Sequence, residues 1–374
     1  MYFVHLFYSL LVLLLILYWS LAPKYRNVAE RVSSNRFVQA LVFAPLLFFT
    51  IDAFDLPLGI FRNHVLRHYG LSVQGWPSWF ADWAKSEILS LLLVTLLVWI
   101  LYAIIRKSPA RWWFYFWLIS MPIFLCILFL QPLVIDPLFN KFEPLQKKDP
   151  ALTLELEKMV QRAGQNIPPE RMFWMGAGAK TTAINAYVAG FGASKRIVVW
   201  DTTIAKMNTP QIVYVAGHEM GHYVLGHIPK LISFVFALLL VFFYVAYRSI
   251  GGILNRWGQR WQIRSVDDCA SLPALLLLLS ILVALTGPIA NSFGRHQEHQ
   301  SDQYGLEVTH GLTPDSGQVA AQAFQALGEV NLADPDPSDL EIILRYDHPA
   351  VRDRVRFALT YDPWSQGRQP EFVK

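Results

Sequence analysis

The chain has 374 residues, of which 54% are hydrophobic and only 16% are charged. Soluble proteins carry about a quarter charged residues, so this composition indicates a protein of the lipid bilayer. The net charge of +4 is small and scattered along the chain, so no nucleic-acid partner is expected. Two cysteines, Cys126 and Cys269, are too few for a disulfide framework and form no metal-binding pair.

Six stretches are long and apolar enough to cross a membrane. The first lacks the basic start of a signal peptide, so it is expected to be a retained span. Trp99, Trp112 and Trp117 lie near span ends, as in the aromatic belt of a membrane protein. The segment 56–87 is too polar to span and is expected at the interface or packed over the helices. The predicted spans are about 3–22, 37–54, 88–105, 112–135, 231–248 and 271–290.

Two polar regions interrupt this pattern, one between the fourth and fifth spans and one after the sixth. Neither looks complete alone, so we expect one soluble domain assembled from both. The predicted fold class is mostly α, with multiple transmembrane helices and an inserted zincin-like domain containing a small β-hairpin or sheet. The expected divisions are a transmembrane region at 1–135, the first part of the soluble domain at 136–230, two membrane helices at 231–290, and the second part at 291–374.

The first polar region is typical of a helix, a hairpin and a second helix. Asn208-Thr209-Pro210 predicts the start of the second helix, because a capping side chain precedes a proline in the first turn. This helix is expected to end near Gly226. The other predicted elements are a helix at 151–164, strands at 183–188 and 196–200 joined by a turn at Gly190-Phe191-Gly192, and a late helix at 338–345.

The string His218-Glu219-Met220-Gly221-His222 lies in this second helix. His218 and His222 are one turn apart and share a face, so both imidazoles can reach one zinc ion. Glu219 would then stand beside the metal, where it can take a proton from water. Only ~0.01 accidental matches to this motif are expected for the composition. The sequence therefore predicts a zinc hydrolase.

A catalytic zinc usually has three protein ligands, and the third can be histidine or a carboxylate. His227 is about 140° round the helix from His222 and is expected to point away. Glu298, just past the last span, is the better candidate. Asp302 follows one turn later and could accept a hydrogen bond from a ligand imidazole. The alternative is that Glu298 and Asp302 are solvated helix charges.

Two further pairs of residues could contribute to the site. Asn185 and Tyr187 lie in a strand that could pair with an extended substrate, although a purely structural hairpin is the alternative. His348 and Arg354 could donate hydrogen bonds to the oxyanion of a tetrahedral intermediate. His348-Pro349 could equally be an ordinary helix start.

Taken together, these strings resemble the CAAX prenyl protease type I family of integral-membrane zinc metalloproteases. The resemblance covers roughly residues 135–358, with a looser likeness back to about residue 37. The matching strings, in family order, are Pro137-Leu-Phe-Asn-Lys-Phe-Glu-Pro144, Asn185-Ala-Tyr-Val-Ala-Gly190, Lys195-Arg-Ile-Val-Val-Trp-Asp-Thr202, His218-Glu-Met-Gly-His222, Glu298 with Asp302, and His348-Pro349 with Arg354.

The resemblance implies a role for each candidate residue and a barrel of membrane helices around a water-filled chamber. Family members remove the last three residues of farnesylated CaaX proteins, and some serve membrane-protein quality control. The implied roles are zinc ligation by His218, His222 and Glu298, general base for Glu219, support for Asp302, substrate backbone binding for Asn185 and Tyr187, and oxyanion-side groups for His348 and Arg354.

The chain departs from the family in span number and in charge distribution. The family has five spans before its catalytic domain, and four are counted here. When span ends are assigned alternately to the two sides of the membrane, the side that carries the soluble domain has 8 basic residues near span ends. The opposite side has 11. The positive-inside rule would place that domain outside, whereas the family places it in the cytosol, which is the expectation adopted. The protein is expected to be multi-pass, in a bacterial inner membrane or an endoplasmic-reticulum-type membrane.

The predicted function is that of a membrane-embedded metalloendopeptidase with one Zn²⁺ ion. Its expected substrates are peptides or proteins, including prenylated C-termini. One alternative is a quality-control protease without prenylated substrates, and another is a non-enzymatic scaffold with a relic site. An intramembrane protease is a further competitor, but its motif would lie inside an apolar span.

Overall fold

The computed structural model describes residues 2–190 and 192–373, and Phe191 of the predicted turn lies outside them. The helices, in chain order, are α1 (Tyr2–Tyr18), α2 (Leu21–Val32), α3 (Arg36–His68), α4 (Trp76–Lys107), α5 (Trp112–Leu130), α6 (Asp136–Phe139), α7 (Leu145–Lys148), α8 (Pro150–Arg162), α9 (Asp201–Lys206), α10 (Thr209–Val224), α11 (His227–Trp257), α12 (Leu272–Thr309), α13 (Ser316–Val330), α14 (Asp339–Arg345) and α15 (Val351–Thr360). The strands are β1 (Phe142–Pro144), β2 (Met172–Met175), β3 (Ala186–Ala189) and β4 (Arg196–Trp200).

Within the described residues, five helical segments are long and apolar enough to span a membrane. They contain α3, α4, α5, α11 and α12, and the bent pair α1 and α2, with 59° between them, makes a sixth if counted as one span. Helices α3 and α4 have 33 and 32 residues, well beyond the ~20 that a bilayer requires. The polar segment 56–87 is therefore built from the end of α3, a short connection and the start of α4.

The chain forms two compact units. The first unit contains the residues up to Val65, Trp76–Leu125 and Ile232–Thr286. Its apolar core comes from α1 to α5, α11 and the start of α12. Buried polar groups in it are paired: Arg26 forms an ion pair with Asp268, and the Tyr102 hydroxyl lies 2.8 Å from Ser271 Oγ. Such pairing is what burial of polar side chains demands.

The second unit contains Leu66–Gly75, Cys126–Leu231 and the residues from Gly287 onward. Its four-stranded sheet has the order β1-β2-β4-β3, with β4 parallel to β2 and antiparallel to β3. Strand β3 is thus an edge strand. Its core is formed by α8, α10, the end of α12, α13 and α15 with one face of the sheet.

Candidate active site

The sequence before the histidine motif builds a well-capped helix. Asn208 Oδ1 accepts a hydrogen bond from the Gln211 backbone N–H at 3.0 Å, and Gln211 Oε1 accepts one from the Asn208 N–H at 3.0 Å. Pro210 lies in the first turn, where its fixed φ suits a helix. Its missing backbone N–H costs nothing there, because the first N–H groups of a helix have no partner within the helix. The helix start predicted at 208–210 therefore has the expected capping chemistry, and α10 carries His218 and His222 on one face.

Glycines let α10 approach α12, which carries Glu298, very closely. A Cβ atom on Gly221 would lie 3.2 Å from Ser301 Cα and 3.1 Å from Tyr304 Cβ. A Cβ atom on Gly305 would lie 3.2 Å from the His218 backbone N. All three distances are tighter than most Cβ contacts in proteins, so a larger residue at either position would push the helices apart. Gly221 of the motif thus helps to bring Glu298 to the two histidines.

The three predicted metal ligands converge. His218 Nε2 lies 3.2 Å from Glu298 Oε2, His222 Nε2 lies 3.4 Å from Glu298 Oε1, and the two Nε2 atoms are 3.3 Å apart. Ligands at 2.0–2.1 Å from a tetrahedral zinc ion are about 3.3 Å from one another. The spacing of these three groups is therefore that of a shared metal, and the alternative of solvated helix charges does not describe Glu298.

The donor set and one buried oxygen fit a metal ion. Two imidazoles and one carboxylate form a common protein ligand set of catalytic zinc. Glu298 Oε2 is buried and accepts no hydrogen bond of good geometry from the described residues, although His218 Nε2 is near. A buried carboxylate oxygen without a hydrogen bond is costly unless a cation accompanies it.

Asp302 and Arg354 hold the ring of His218. His218 Nδ1 lies 2.8 Å from Asp302 Oδ1, and Asp302 is almost fully buried. Arg354 donates two hydrogen bonds to this carboxylate, from Nε at 2.9 Å and from Nη2 at 2.6 Å, while its guanidinium stacks over Phe324. Since Nδ1–H donates to Asp302, the Nε2 lone pair is directed at the metal position.

His227 supports the ring of His222 in a similar way. Its Nδ1 lies 3.1 Å from His222 Nδ1, and its Nε2 lies 3.1 Å from Gln300 Oε1. His227 is not in the ligand group, as the sequence reasoning expected, but its contact with His222 was missed. The argument from helix geometry assumes that α10 continues through His227. The chain instead turns at Gly226, which has a positive φ, and a new helix, α11, begins at His227.

Burial and neighbouring charges shift the pKa values of three residues at the site. Burial, helped by the neighbouring His218, lowers the pKa of His222 to about 3, so its imidazole is neutral as a metal ligand requires. Burial raises the pKa of Glu219, against the opposing effect of His218. A raised carboxyl pKa suits a group that must both take and return a proton. Burial disfavours charge on His218, yet the neighbouring carboxylates of Asp302 and Glu298 raise its pKa to about 10, so metal binding at Nε2 has to displace a proton from this ring.

His348 and Arg354 both lie beside Glu298. His348 Nε2 is 3.2 Å from Glu298 Oε2, and half of the His348 side chain is exposed, so it can face a substrate. Arg354 Nη2 is 3.9 Å from the same oxygen but is engaged with Asp302. The main contact of Arg354 is therefore with Asp302, which it holds in place. The oxyanion role predicted for Arg354 stays a prediction.

The predicted substrate-binding residues lie at strand β3. Asn185 is exposed directly before the strand, and its backbone N–H donates to Thr203 Oγ1 at 2.8 Å. The Tyr187 hydroxyl lies 3.5 Å from Asp136 Oδ2, and burial raises its pKa to about 12, so it remains a donor. Tyr223, next to His222, donates to the Gly190 carbonyl at 2.6 Å and ties α10 to the end of β3.

Comparison with known proteins identifies the family. The profile of peptidase family M48 matches residues 146–361, more than half of the chain. The profile described as "CAAX prenyl protease N-terminal, five membrane helices" matches residues 1–141. In that region the structure has the bent pair α1 and α2 followed by α3, α4 and α5.

Curated relatives and a solved structure cover most of the chain. The "Uncharacterized metalloprotease YhfN" of Bacillus subtilis is 35% identical over 339 residues, which cover 90% of this chain and 77% of that protein. The CAAX prenyl protease 1 homolog of Arabidopsis thaliana is 26% identical, covering 95% of this chain and 83% of that protein. The crystal structure of S. mikatae Ste24p has a TM-score of 0.80 at 24% identity, covering 93% of this chain and 83% of that chain.

These comparisons confirm the resemblance and the predicted fold class. The structural match extends over nearly the whole chain, and the family profile includes the histidine motif, Glu298 and Arg354. A metal ion is implied by the family, and the ligand group above can hold one. The chain therefore belongs to peptidase family M48, as an integral-membrane metalloprotease that acts on peptide or protein substrates.

Proposed function

We propose that the protein is a zinc-dependent endopeptidase with His218, His222 and Glu298 as the metal ligands. The observation that carries this proposal is the mutual spacing of 3.2 to 3.4 Å among their donor atoms. No other group of three or more His, Cys, Asp or Glu side chains in the described residues is arranged to hold a metal. Two imidazoles with one carboxylate favour zinc over calcium or magnesium, which prefer all-oxygen ligand sets.

In the proposed mechanism, the side chains around the metal position handle protons and developing charge. A bound zinc ion would polarise the scissile carbonyl and acidify a water molecule. Glu219 takes the proton of the attacking water and returns it to the leaving amine. His348 donates a hydrogen bond to the oxyanion as the tetrahedral carbon forms. Asp302, held by Arg354, keeps the His218 ring oriented throughout.

The substrate is proposed to bind as an added strand along β3. The strand pairs with β4 on one side only, so its other backbone edge can accept an extended peptide. Asn185 is exposed at the start of this edge and can hydrogen-bond a peptide carbonyl, and Tyr187 is a second candidate donor. The hydrogen bond from Tyr223 to Gly190 links this edge to the metal-binding helix.

We propose prenylated CaaX C-termini as the substrate class, because several relatives are named CAAX prenyl proteases. The second candidate is a quality-control protease for unprenylated membrane proteins. Cleavage of a farnesylated CaaX peptide, compared with the same peptide carrying an unmodified cysteine, distinguishes them. A preference for the farnesylated peptide of at least about tenfold in kcat/KM supports the first proposal, and equal cleavage supports the second.

Glu219→Gln tests the mechanism directly. The amide keeps the size of the side chain but cannot accept the proton, so kcat should fall by at least about 100-fold. Zinc content, measured by elemental analysis, should stay at one ion per chain. Glu155→Gln, at a partly exposed site paired with Lys158 on α8, is the control and should keep full activity. Full activity of Glu219→Gln would remove this residue from the mechanism.

The ligand assignment has a separate test in Glu298→Ala. Removal of one of three ligands should lower zinc occupancy well below one ion per chain at equilibrium with a chelating buffer. Full occupancy would show that another residue completes the site.

We also propose that the metal site faces the cytosol, as the family resemblance implies. Ser365 is exposed in the second unit and suits a single introduced cysteine. In intact cells, a membrane-impermeant maleimide should label Ser365→Cys only after the membrane is disrupted. Labelling before disruption would place this face outside, as the distribution of basic residues predicts.

A further inference from the structure

A polar pocket in the first unit is lined by residues that have no role in the site described above. It is partly open to solvent and is lined by charged, polar and apolar side chains. We call it the arginine pocket, because Arg26, Arg36, Arg106 and Arg264 line it.

The arginine pocket lies where helices of the first unit begin or end. Arg36 is the first residue of α3, Arg106 is the last but one of α4, and Asp268 directly precedes the turn that starts α12. The ends of apolar spans lie at the membrane–water interface. The pocket is therefore at the depth of the lipid headgroups.

Two of the four arginines are neutralised within the pocket. Arg26 is paired with the buried Asp268, which also accepts the Arg264 backbone N–H at 3.0 Å. The Arg264 side chain donates to both oxygens of Glu30, at 2.7 and 3.0 Å. Asp267 Oδ1 lies 2.5 Å from Ser265 Oγ. Four guanidiniums against three carboxylates leave the pocket with a net charge of +1.

Arg36 and Arg106 form no close ion pair within the described residues, although the Glu30 carboxylate acts on the charge of Arg36 and the Asp267 carboxylate on that of Arg106. The Arg36 guanidinium donates to Gln39 Oε1 at 2.8 Å. Arg106 makes only a long contact of 3.5 Å from Nη1 to the Asp267 carbonyl. Each guanidinium carries five N–H donors, so most of them remain available to a ligand. The two cations also repel each other, and Asp267 only partly offsets this effect at Arg106, so an anion between them would relieve the remaining repulsion.

The rest of the pocket is lined by polar and apolar side chains. Gln39, Tyr102 and Ser265 are among the polar ones. Ala40 and Phe43 lie one and two turns into α3, and Val98 lies two turns before Arg106 in α4. These three apolar side chains are buried in the first unit, so the guanidiniums are the groups that the pocket offers to a ligand.

We propose that the arginine pocket binds the phosphate of an anionic membrane phospholipid, with Arg36 and Arg106 as its ligands. Planar guanidinium groups form paired hydrogen bonds with phosphate oxygens, and basic pockets between membrane helices recognise anionic headgroups. The position of Arg36 and Arg106 at the ends of apolar spans favours a lipid over free inorganic phosphate, which shares the same anionic chemistry.

The test uses the full-length protein in neutral detergent, titrated with phosphatidylglycerol, phosphatidylcholine or inorganic phosphate. Binding is followed by native mass spectrometry and by the thermal midpoint. Phosphatidylglycerol should bind saturably and raise the midpoint, and Arg36→Gln/Arg106→Gln should weaken it by at least about tenfold. Lys107→Gln/Arg111→Gln removes two charges at the same end of α4, outside the pocket, and should change affinity by less than about twofold.

A third variant addresses the case in which the glutamine pair fails to fold. Arg36→Lys/Arg106→Lys keeps both charges but loses the planar donor pairs, so it should bind phosphatidylglycerol more weakly than the wild type. The thermal midpoint of each variant without added lipid reports whether the first unit, which contains the pocket, remains folded. Equal losses in the pocket and control variants, or unchanged lipid binding in the pocket variants, would overturn the proposal. Saturation by inorganic phosphate with no further effect of lipid would overturn the assignment to a phospholipid.

Discussion

His227→Phe is the change that best tests how the site is held together. For His222 Nε2 to bind a metal, its proton must be on Nδ1, which then donates to His227 Nδ1 at 3.1 Å. His227 must in turn carry its proton on Nε2, where Gln300 Oε1 accepts it at 3.1 Å. Gln300 therefore selects the tautomer of His227, and His227 selects that of His222. Phenylalanine has a similar shape but cannot accept the His222 proton.

The expected loss of zinc affinity follows from this relay, by which we mean the hydrogen bonds from His222 to His227 and from His227 to Gln300. His227 is 1% exposed, so water cannot replace the missing acceptor. Removing a group that orients a metal-ligating histidine typically costs about 10 to 100-fold in metal affinity. That range corresponds to about 1.4–2.7 kcal/mol of binding free energy. His227→Asn is the matched variant, because its Oδ1 is placed near the position of Nδ1 and can accept the same proton.

The assay is zinc competition against a chelator of known affinity, with the thermal midpoint of the metal-free protein measured in parallel. We expect the zinc Kd to rise by about 10 to 100-fold in His227→Phe and by less in His227→Asn. The thermal midpoints of the two variants without metal should be similar, because the hydrogen bonds of the relay matter most when His222 binds the metal. A zinc Kd in His227→Phe within about twofold of the wild type would refute the role assigned to this contact.

Three further predictions concern the same site. Gly305→Ala should force α12 away from the His218 backbone and reduce the free energy of unfolding by about 1–3 kcal/mol, whereas Gly251→Ala, inside α11 with open space around its Cβ, should stabilise the protein by up to about 1 kcal/mol in the same melting assay. Asp302→Asn should raise the zinc Kd by about 10 to 100-fold, because the His218 ring loses its charged partner; an unchanged Kd in the competition assay would exclude this support. Chelation should lower the thermal midpoint, and added Zn²⁺ but not Mg²⁺ should restore it.

The histidine pair and its helix could be predicted because their spacing along the chain is short and their chemistry is specific. His218 and His222 are one helical turn apart, and Asn208 with Pro210 places the start of that helix. Glu298 could be chosen as a candidate from its position just past the last span, but solvated helix charges stayed an alternative, because nothing local relates this residue to a helix about 80 residues earlier. Its approach depends on Gly221 and Gly305, whose role becomes visible only when the two helices are in contact.

Strands and long-range contacts were harder to predict. β4 was expected at 196–200 and forms there, but β1 and β2 were not anticipated. The sequence of β2, Met172-Phe-Trp-Met175, lacks polar alternation, and its parallel pairing with β4 joins segments far apart in sequence. The connection between α3 and α4 also pairs with a distant segment, since Val73 donates to the Lys180 carbonyl at 3.0 Å. Local patterns carry no signal for such pairs.

The short free edge of β3 has a consequence for the choice of cleavage sequence. Ala186–Ala189 spans about 13 Å, so it can align only about four residues of a bound chain. Recognition along this length relies on main-chain amides and carbonyls, which every peptide offers except at proline. The enzyme should therefore tolerate varied side chains near the scissile bond, while a proline or an N-methylated residue facing the strand should block hydrolysis.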